Sequence, residues 1–217
     1  MREEVYIRPL TVYDAAVSWK WRNDSGLWRF TESHPDVYVT EEMERAWATR
    51  VVADKTRINF AICLRPSNRY IGNIYLVNVK DGVGELGIFI GERDCHGKGY
   101  GQTAISLLKR IVASEYGIKT IRIGVNKDNT AALISYLKAG GKIEDAQQWI
   151  HLVLDLTSDD VENYLSSVSS DFNPAAETSL GIKGYSDKLA GKGRTIAAIE
   201  NAPDGGGDNG NHCRVFQ

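Results

Sequence analysis

The residues of this chain that most clearly suggest chemistry are three glycines at alternate positions, Gly97, Gly99 and Gly101. Glycine lets a backbone turn sharply or come close to a ligand. The glycines stand just before a segment with helical apolar periodicity, and the first N–H groups of a helix lack intrahelical partners at the positive end of its dipole. The pattern therefore predicts a backbone site for a phosphate group.

The spacing of these glycines excludes two familiar nucleotide-binding loops. A dinucleotide-binding loop needs a third glycine at position 102, where this chain has Gln102. A Walker A loop needs Lys and then Ser or Thr after its last glycine, but Gln102 and Thr103 follow Gly101. The phosphate must therefore belong to a different class of ligand.

The segment from His96 to Gly101 resembles the acetyl-coenzyme A loop of the GNAT superfamily of N-acetyltransferases, which reads Arg/Gln-x-x-Gly-x-Gly/Ala. His96 replaces Arg or Gln at the first position, which removes one side-chain donor and leaves the backbone cradle intact. Residues 84–91 resemble the family's strand that hydrogen-bonds the pantetheine arm, and residues 125–140 resemble its Val-x-x-x-Asn-x-x-Ala and Tyr-x-Lys-x-Gly signature. The three motifs stand in the order and at the separations of that family.

The resemblance covers residues 5–156 and implies the fold of the family. That fold is α/β, with a mixed, mostly antiparallel central sheet flanked by helices. The resemblance also implies acetyl-coenzyme A as co-substrate. The residues that it places at the acetyl-coenzyme A site are Ile88, Phe89, Ile90, His96, Gly97, Lys98, Gly99, Tyr100, Gly101, Gln102 and Asn129.

Two side chains are expected to take part when the amine attacks the thioester directly in a ternary complex. This attack needs a base for the amine and an acid for the departing sulfur. Glu85 matches an acidic position of the family beside the cofactor and is the candidate base, with an ordinary surface carboxylate as the alternative. Tyr136 is the candidate acid, since a phenol has an ordinary pKa of about 10. Its spacing from Asn129 puts both side chains on one helical face.

The acceptor is expected to bind beside the N-terminal helices, where the candidate residues are Trp21, Arg22, Asn23 and Trp28. The string that begins at Trp21 resembles the branch that acetylates nucleotide-linked amino sugars or related small amines, and the RimJ/RimL-like branch that acetylates protein N-termini. Aromatic rings suit a sugar or a nucleobase, and Arg22 or Arg29 could pair with a diphosphate. Core packing is the alternative interpretation of the tryptophans.

The preferred acceptor is therefore the primary amine of a small molecule, with a nucleotide-linked amino sugar as one example. A protein N-terminus and a polyamine remain alternatives, the latter because acidic residues such as Glu41 and Glu42 follow the aromatic segment. A further alternative is a non-catalytic module that binds acetyl-coenzyme A.

The elements that must position these residues follow from periodicity and turn signals. Alternating β-branched and aromatic residues predict strands over residues 5–10, 58–64, 70–79, 83–90, 121–125, 142–145 and 149–156. The strands at 58–64, 70–79 and 83–90 are expected to form an antiparallel meander. Helical spacing predicts helices beginning at Thr11 and at Thr40, over residues 104–116 and over residues 129–139, and a short capped helix over 158–165.

Composition limits the remaining possibilities. The chain has 217 residues, of which 42% are hydrophobic, which predicts one folded domain with or without an appendage. The resemblance implies that residues 1–168 form the acetyltransferase domain, and the local composition predicts a Gly/Asn/Asp-rich tail over 169–217. A net charge of −2 gives no support for nucleic-acid binding. The charged N-terminus and short apolar runs predict a cytoplasmic protein without membrane contact. The three cysteines and four histidines are scattered, so no metal site is predicted, and a homodimer is left open.

Overall fold

The computed structural model describes residues 4–30 and 35–162, which contain one seven-stranded sheet. The strands are β1 (Val5–Pro9), β2 (Ile58–Leu64), β3 (Tyr70–Lys80), β4 (Val83–Ile90), β5 (Thr120–Asn126), β6 (Lys142–Ala146) and β7 (Trp149–Asp155). The α-helices are α1 (Ala15–Arg22), α2 (Glu41–Ala53), α3 (Tyr100–Tyr116) and α4 (Thr130–Lys138). Residues 158–162 are also helical, and the rest of the predicted helix over 158–165 lies outside the described residues.

The strands lie in the order β1-β2-β3-β4-β5-β7-β6. β4 and β5 are parallel, and every other neighbouring pair is antiparallel. The meander of β2, β3 and β4 is therefore confirmed, as is the α/β fold with a mixed, mostly antiparallel sheet. The parallel pair requires a crossover between β4 and β5, and α3 provides it.

The helix starts follow from side chains that bond exposed backbone N–H groups. Thr40 precedes α2, and its hydroxyl oxygen accepts a hydrogen bond from the N–H of Met43 at 3.3 Å. Asp14 reaches back to the N–H of Thr11 at 2.8 Å, and a short 3₁₀ turn there leads into α1. The helix predicted over 104–116 begins four residues earlier than expected, because Gly99, with φ of 80°, turns the chain directly into it.

Helices cover the two faces of the sheet differently. α3 packs against β1, β3 and β4 on one face, where the rings of Phe60 and Tyr116 lie 6.5 Å apart. α1 and α2 cover the other face of the β1–β4 half: the Trp21 ring lies 4.8 Å from the Tyr70 ring. Because side chains alternate along a strand, each side chain of β3 and β4 points either to the face covered by α3 or to the face covered by α1 and α2.

A buried ion pair joins α1 to α2. The Nε of Arg22 lies 3.0 Å from Oε2 of Glu44, and only 2% of the Glu44 side chain is exposed. Ser18 donates a second hydrogen bond to Glu44 at 2.7 Å. The guanidinium carbon of Arg22 lies 4.3 Å from the ring centroid of Trp47, so the cation is also packed against an aromatic face.

We expect Glu44→Gln to lower the free energy of unfolding by about 3 kcal/mol, because it leaves the Arg22 charge buried without its counter-ion. Urea denaturation measures the change. The matched control is Glu41→Gln on the same helix, whose exposed pair with Arg45 at 2.6 Å should contribute about 0.5 kcal/mol or less. Equal losses of unfolding free energy in the two variants would contradict the assignment of the Arg22–Glu44 ion pair as the one that stabilises the fold.

The predicted tail over residues 169–217 lies outside the described residues. Within residues 4–30 and 35–162, no helix has the length and apolar character needed to cross a membrane.

Candidate active site

The sheet opens into a fork between β4 and β5. The two strands pair only from Val83 with Thr120 to Glu85 with Arg122. Beyond Glu85, β4 continues to Ile90 paired only with β3, and β5 continues to Asn126 paired only with β7. The inner edges of both strands therefore present backbone N–H and C=O groups that an extended ligand can bond as if it were a strand.

A glycine cradle lies at the beginning of α3. Gly97 and Gly99 have φ of 71° and 80°, and a methyl group added at either position would meet nothing within 4 Å. The first backbone bond of the helix runs from the N–H of Thr103 to the oxygen of Gly99 at 3.1 Å, so the N–H groups of the preceding turn stand before the first intrahelical bond. The positive φ values and open space are the geometry that a backbone phosphate site requires.

The segment before the cradle is tied to its surroundings by its own side chains. Glu92 accepts a hydrogen bond from the indole N–H of Trp21 at 3.0 Å, and the Nε of Arg93 donates to Asp24 at 2.7 Å. The Arg93 guanidinium holds the pKa of Asp24 below its usual range, chiefly through this hydrogen bond. On the other side, Asp94 accepts from Arg69 at 2.7 Å. The cradle is thus anchored both to the α1 end and to the turn between β2 and β3.

The polar side chains around the cradle differ in their surroundings. The Nε2 of His96 lies 2.9 Å from the oxygen of Ile90, which joins the start of the cradle to the end of β4. Lys98 is exposed, and Gln102 is half-buried in the first turn of α3. Burial and the neighbouring Glu4 raise the pKa of Tyr100 above its ordinary value. The binding of a phosphate by these residues stays a prediction.

Tyr136 brings a buried hydroxyl to α4. The side chain is 1% exposed, and its oxygen has no hydrogen-bond partner among the described residues. Burial, with a smaller contribution from Tyr75, raises the Tyr136 pKa above its ordinary value, so the phenol keeps its proton at neutral pH. An unpaired buried hydroxyl is costly, and a ligand atom that accepts its hydrogen bond would remove that cost.

Tandem glycines end the helix that carries Tyr136. Gly140 has φ of 95°, and the N–H of Gly141 donates to the oxygen of Tyr136 at 3.0 Å. A methyl group at Gly141 would stand 2.9 Å from that oxygen, so the close turn requires glycine. The helix predicted over residues 129–139 is thereby confirmed, and it ends just before this glycine pair.

Asn129 and Glu85 take positions at the two sides of the fork. Asn129 caps α4, since its Oδ1 accepts a hydrogen bond from the N–H of Ala132 at 3.2 Å. Glu85 is the last residue of β4 that pairs with β5, and its side chain is half-buried. By the alternation of side chains, Glu85 shares the face of the sheet on which Gly87 and Phe89 lie. The roles of Asn129 toward the cofactor and of Glu85 as base stay predictions.

A small cavity lies between the α1–α2 face and β3 and β4. Its aromatic walls are Trp21, Trp28, Trp47, Tyr75 and Phe89. Its polar lining is Ser18, Arg22, Glu44 and Asn73. The Trp28 and Phe89 rings are stacked with centroids 5.4 Å apart. Three of the four predicted acceptor residues therefore line one cavity.

The predicted acceptor residues also hold the local structure together. The indole N–H of Trp28 donates to the oxygen of Arg22 at 3.0 Å, and Trp28 is buried. Asn23 does not line the cavity: its side chain bonds the N–H and the oxygen of Val39, both at 2.8 Å, and so ties the end of α1 to the segment before α2. Core packing and cavity lining thus coincide for the tryptophans.

Several residues at this cavity could not be assigned to it from the sequence alone. In the sequence, Glu44 and Trp47 occupy ordinary positions of an amphipathic helix. Tyr75 and Gly87 are twelve residues apart, and only the register that pairs them brings the ring against the glycine. If the register of the hairpin were known, the pairing of an aromatic residue with a glycine on the next strand would indicate this contact.

A sheet that opens beside a phosphate cradle can hold the arm of a coenzyme A thioester between its strands, and this arrangement is that of an acyl-coenzyme A-dependent transferase. Residues 4–142 match the family described as the acetyltransferase (GNAT) domain, so the chain belongs to that family. The protein is an acetyl-coenzyme A-dependent N-acetyltransferase, and its acceptor is an amine. The predicted enzyme class and co-substrate are thereby confirmed.

Three relatives illustrate the likeness. The N-acetyltransferase 9-like protein of Caenorhabditis briggsae is 24% identical over 159 residues, which are 67% of this chain and 78% of that protein. The spermidine N-acetyltransferase of Vibrio cholerae, solved with CoA and spermine, is 16% identical with a TM-score of 0.63, over 75% of this chain and 98% of that one. The ribosomal-protein-S5-alanine acetyltransferase of Vibrio fischeri is 15% identical with a TM-score of 0.63, over 72% and 95% of the two chains. At these identities, the two solved structures establish the fold only.

We expect Gly99→Val to abolish measurable acetyl-coenzyme A binding in calorimetry, because a branched side chain would fill the cradle. The matched control is Gly117→Val at the other end of α3, where φ is also positive, at 64°, and a methyl group also meets nothing within 4 Å. Both variants carry the same kind of backbone strain. If Gly117→Val lost binding equally, strain rather than the cradle would explain the effect.

Proposed function

We propose that this enzyme transfers acetyl directly from acetyl-coenzyme A to the primary amine of a small molecule, with Tyr136 as the general acid. The buried, unpaired hydroxyl of Tyr136 carries this proposal, because it is a protonated donor with no protein partner among the described residues. In the step, the amine nitrogen forms a bond to the thioester carbon and the carbon–sulfur bond breaks. The Tyr136 hydroxyl gives its proton to the departing sulfur.

Glu85 is proposed as the base for the acceptor. It lies where the fork opens, on the sheet face that also bears the acceptor cavity. From there its carboxylate takes the ammonium proton, directly or through a water molecule. The acceptor nitrogen loses two protons in all: Glu85 takes the first from the ammonium before attack, and the Tyr136 phenolate takes the second after the nitrogen–carbon bond has formed. Because the Tyr136 hydroxyl has given its own proton to the sulfur, Tyr136 ends the step protonated and one proton remains on Glu85.

The walls of the cavity favour a small acceptor. Bulky aromatic side chains line it, so a flat, compact group suits it better than an extended chain such as a protein N-terminus. Within this lining, Glu44 is the one carboxylate among the described residues, and Arg22 and Ser18 already bond it. A polyamine would therefore find no uncompensated carboxylate there for its distal ammonium groups.

A nucleotide-linked amino sugar is one small molecule of this class, and it corresponds to the amino-sugar branch. The stacked rings of Trp28 and Phe89 favour a flat or sugar-like group. The Arg22 charge is compensated by Glu44, so Arg29 is the better candidate partner for a diphosphate. Arg29 is exposed, and its guanidinium carbon lies 4.9 Å from the ring centroid of Phe30.

We expect Tyr136→Phe to lower kcat by about a hundredfold while the Kd for acetyl-coenzyme A stays within about twofold. Without ligand, the variant should be at least as stable as the wild type, because the lost hydroxyl makes no hydrogen bond to any residue that the structure describes. Steady-state kinetics, calorimetry and thermal unfolding measure these three quantities. The control is Tyr13→Phe, which removes the same group from an exposed tyrosine.

Full turnover in Tyr136→Phe would remove the general-acid role. The acceptor itself is tested by mass spectrometry after incubation with acetyl-coenzyme A and a panel of amino sugars, nucleotide-linked amino sugars, polyamines, aminoglycosides and N-terminal peptides. Acetylation of peptides or polyamines in preference to the other amines would overturn the small-molecule assignment made above.

A further inference from the structure

Tyr75 lies across the neighbouring strand at a point where that strand has no side chain. It pairs with Gly87 in the register of β3 and β4. A methyl group on Gly87 would stand 2.3 Å from two ring carbons of Tyr75 and 2.5 Å from its hydroxyl oxygen. The outer edge of the phenol therefore occupies the space that any other residue at position 87 would fill.

Gly87 lies in the part of β4 that is not paired with β5, so the contact with Tyr75 is made beside the fork. The last residue of β4 that pairs with β5 is Glu85, so Gly87 belongs to the part of the strand that borders the fork. The hydroxyl of Tyr75 thus lies over the opened strand, on the face of the acceptor cavity. The Tyr136 phenol is close enough for Tyr75 to influence it electrostatically.

The other side of the Tyr75 ring faces the acceptor cavity. Tyr75 forms part of its wall together with Trp28 and Phe89, and is itself 7% exposed. The guanidinium carbon of Arg57 lies 5.3 Å from the ring centroid of Tyr75, which helps to hold the ring in place. Tyr75 therefore lies both in the lining of the cavity and against the strand that borders the fork.

We propose that Tyr75 is a positioning residue for the acceptor, and this inference rests on the function proposed above. Its hydroxyl oxygen accepts a hydrogen bond from the acceptor amine at the border of the fork. Its ring, fixed by Gly87, closes the cavity around the group that carries the amine. That group is uncharged, because the Glu44 and Arg22 charges of the cavity compensate each other.

The test uses the full chain saturated with coenzyme A and benzylamine as the probe, since benzylamine joins a primary amine to a flat, uncharged ring. Binding is followed by the fluorescence of the cavity tryptophans. We expect Tyr75→Phe to raise the Kd for benzylamine about fivefold, which corresponds to one lost hydrogen bond. The Kd for coenzyme A should not change.

Gly87→Ala should also raise the benzylamine Kd, because the added methyl displaces the ring while the hydroxyl remains. The matched control is Gly84→Ala, which adds the same methyl on the opposite face of β4, against the flexible side chain of Leu76 at 3.1 Å. In a Tyr75→Ala background, Gly87→Ala should have no further effect, because the ring it displaces is gone. This cycle separates the Tyr75 contact from general damage to β4.

An unchanged benzylamine Kd in Tyr75→Phe would overturn the inference, as would an absence of benzylamine binding to the wild type or tighter binding of spermidine than of benzylamine. Failure of the proposed function has a different signature, because it would appear as full turnover in Tyr136→Phe. A loss of turnover in Tyr136→Phe with no effect of Tyr75→Phe would therefore reject only the role of Tyr75.

Discussion

The end of pairing between β4 and β5 is the constraint on which this active site depends. Two parallel strands that stayed paired to their ends would leave no backbone groups for a ligand and no space for a thioester. Here the pairing stops at Glu85, and each strand is kept in place by its outer neighbour, β3 or β7. The antiparallel strands on either side of the fork thus keep β4 and β5 rigid where these two strands do not pair with each other.

The phosphate cradle is held in relation to this fork by ordinary side-chain chemistry. Trp21 bonds Glu92, Asp24 bonds Arg93, and Arg69 bonds Asp94. The first two bonds come from the region that also lines or borders the acceptor cavity. A change in that region would consequently move the cofactor site as well, so the two substrates share one scaffold.

The residues proposed to recognise the acceptor also pack the fold. Trp28 stacks on Phe89, and Arg22 lies between aromatic rings while it compensates the buried charge of Glu44. Such an arrangement is rigid. A molecule bound here would contact flat aromatic rings, and the Arg22 charge near them is already compensated by Glu44. Tyr136 stands in contrast, because its buried hydroxyl has no hydrogen-bond partner among the described residues, which is costly to the fold.

The sequence by itself determined the elements and the glycine turn that begins α3, because both depend on local chemistry. Apolar periodicity, the Thr40 and Asn129 caps and the glycines near position 99 act within a few residues of one another, so strands such as Ile58–Leu64 could be predicted to the residue. Tertiary structure alone decided where β4 and β5 part, that Glu44 takes up the charge of Arg22, and that Tyr75 lies on Gly87. These contacts depend on register and on the packing of helices against a face, which residues distant in the chain establish only when the whole sheet has formed.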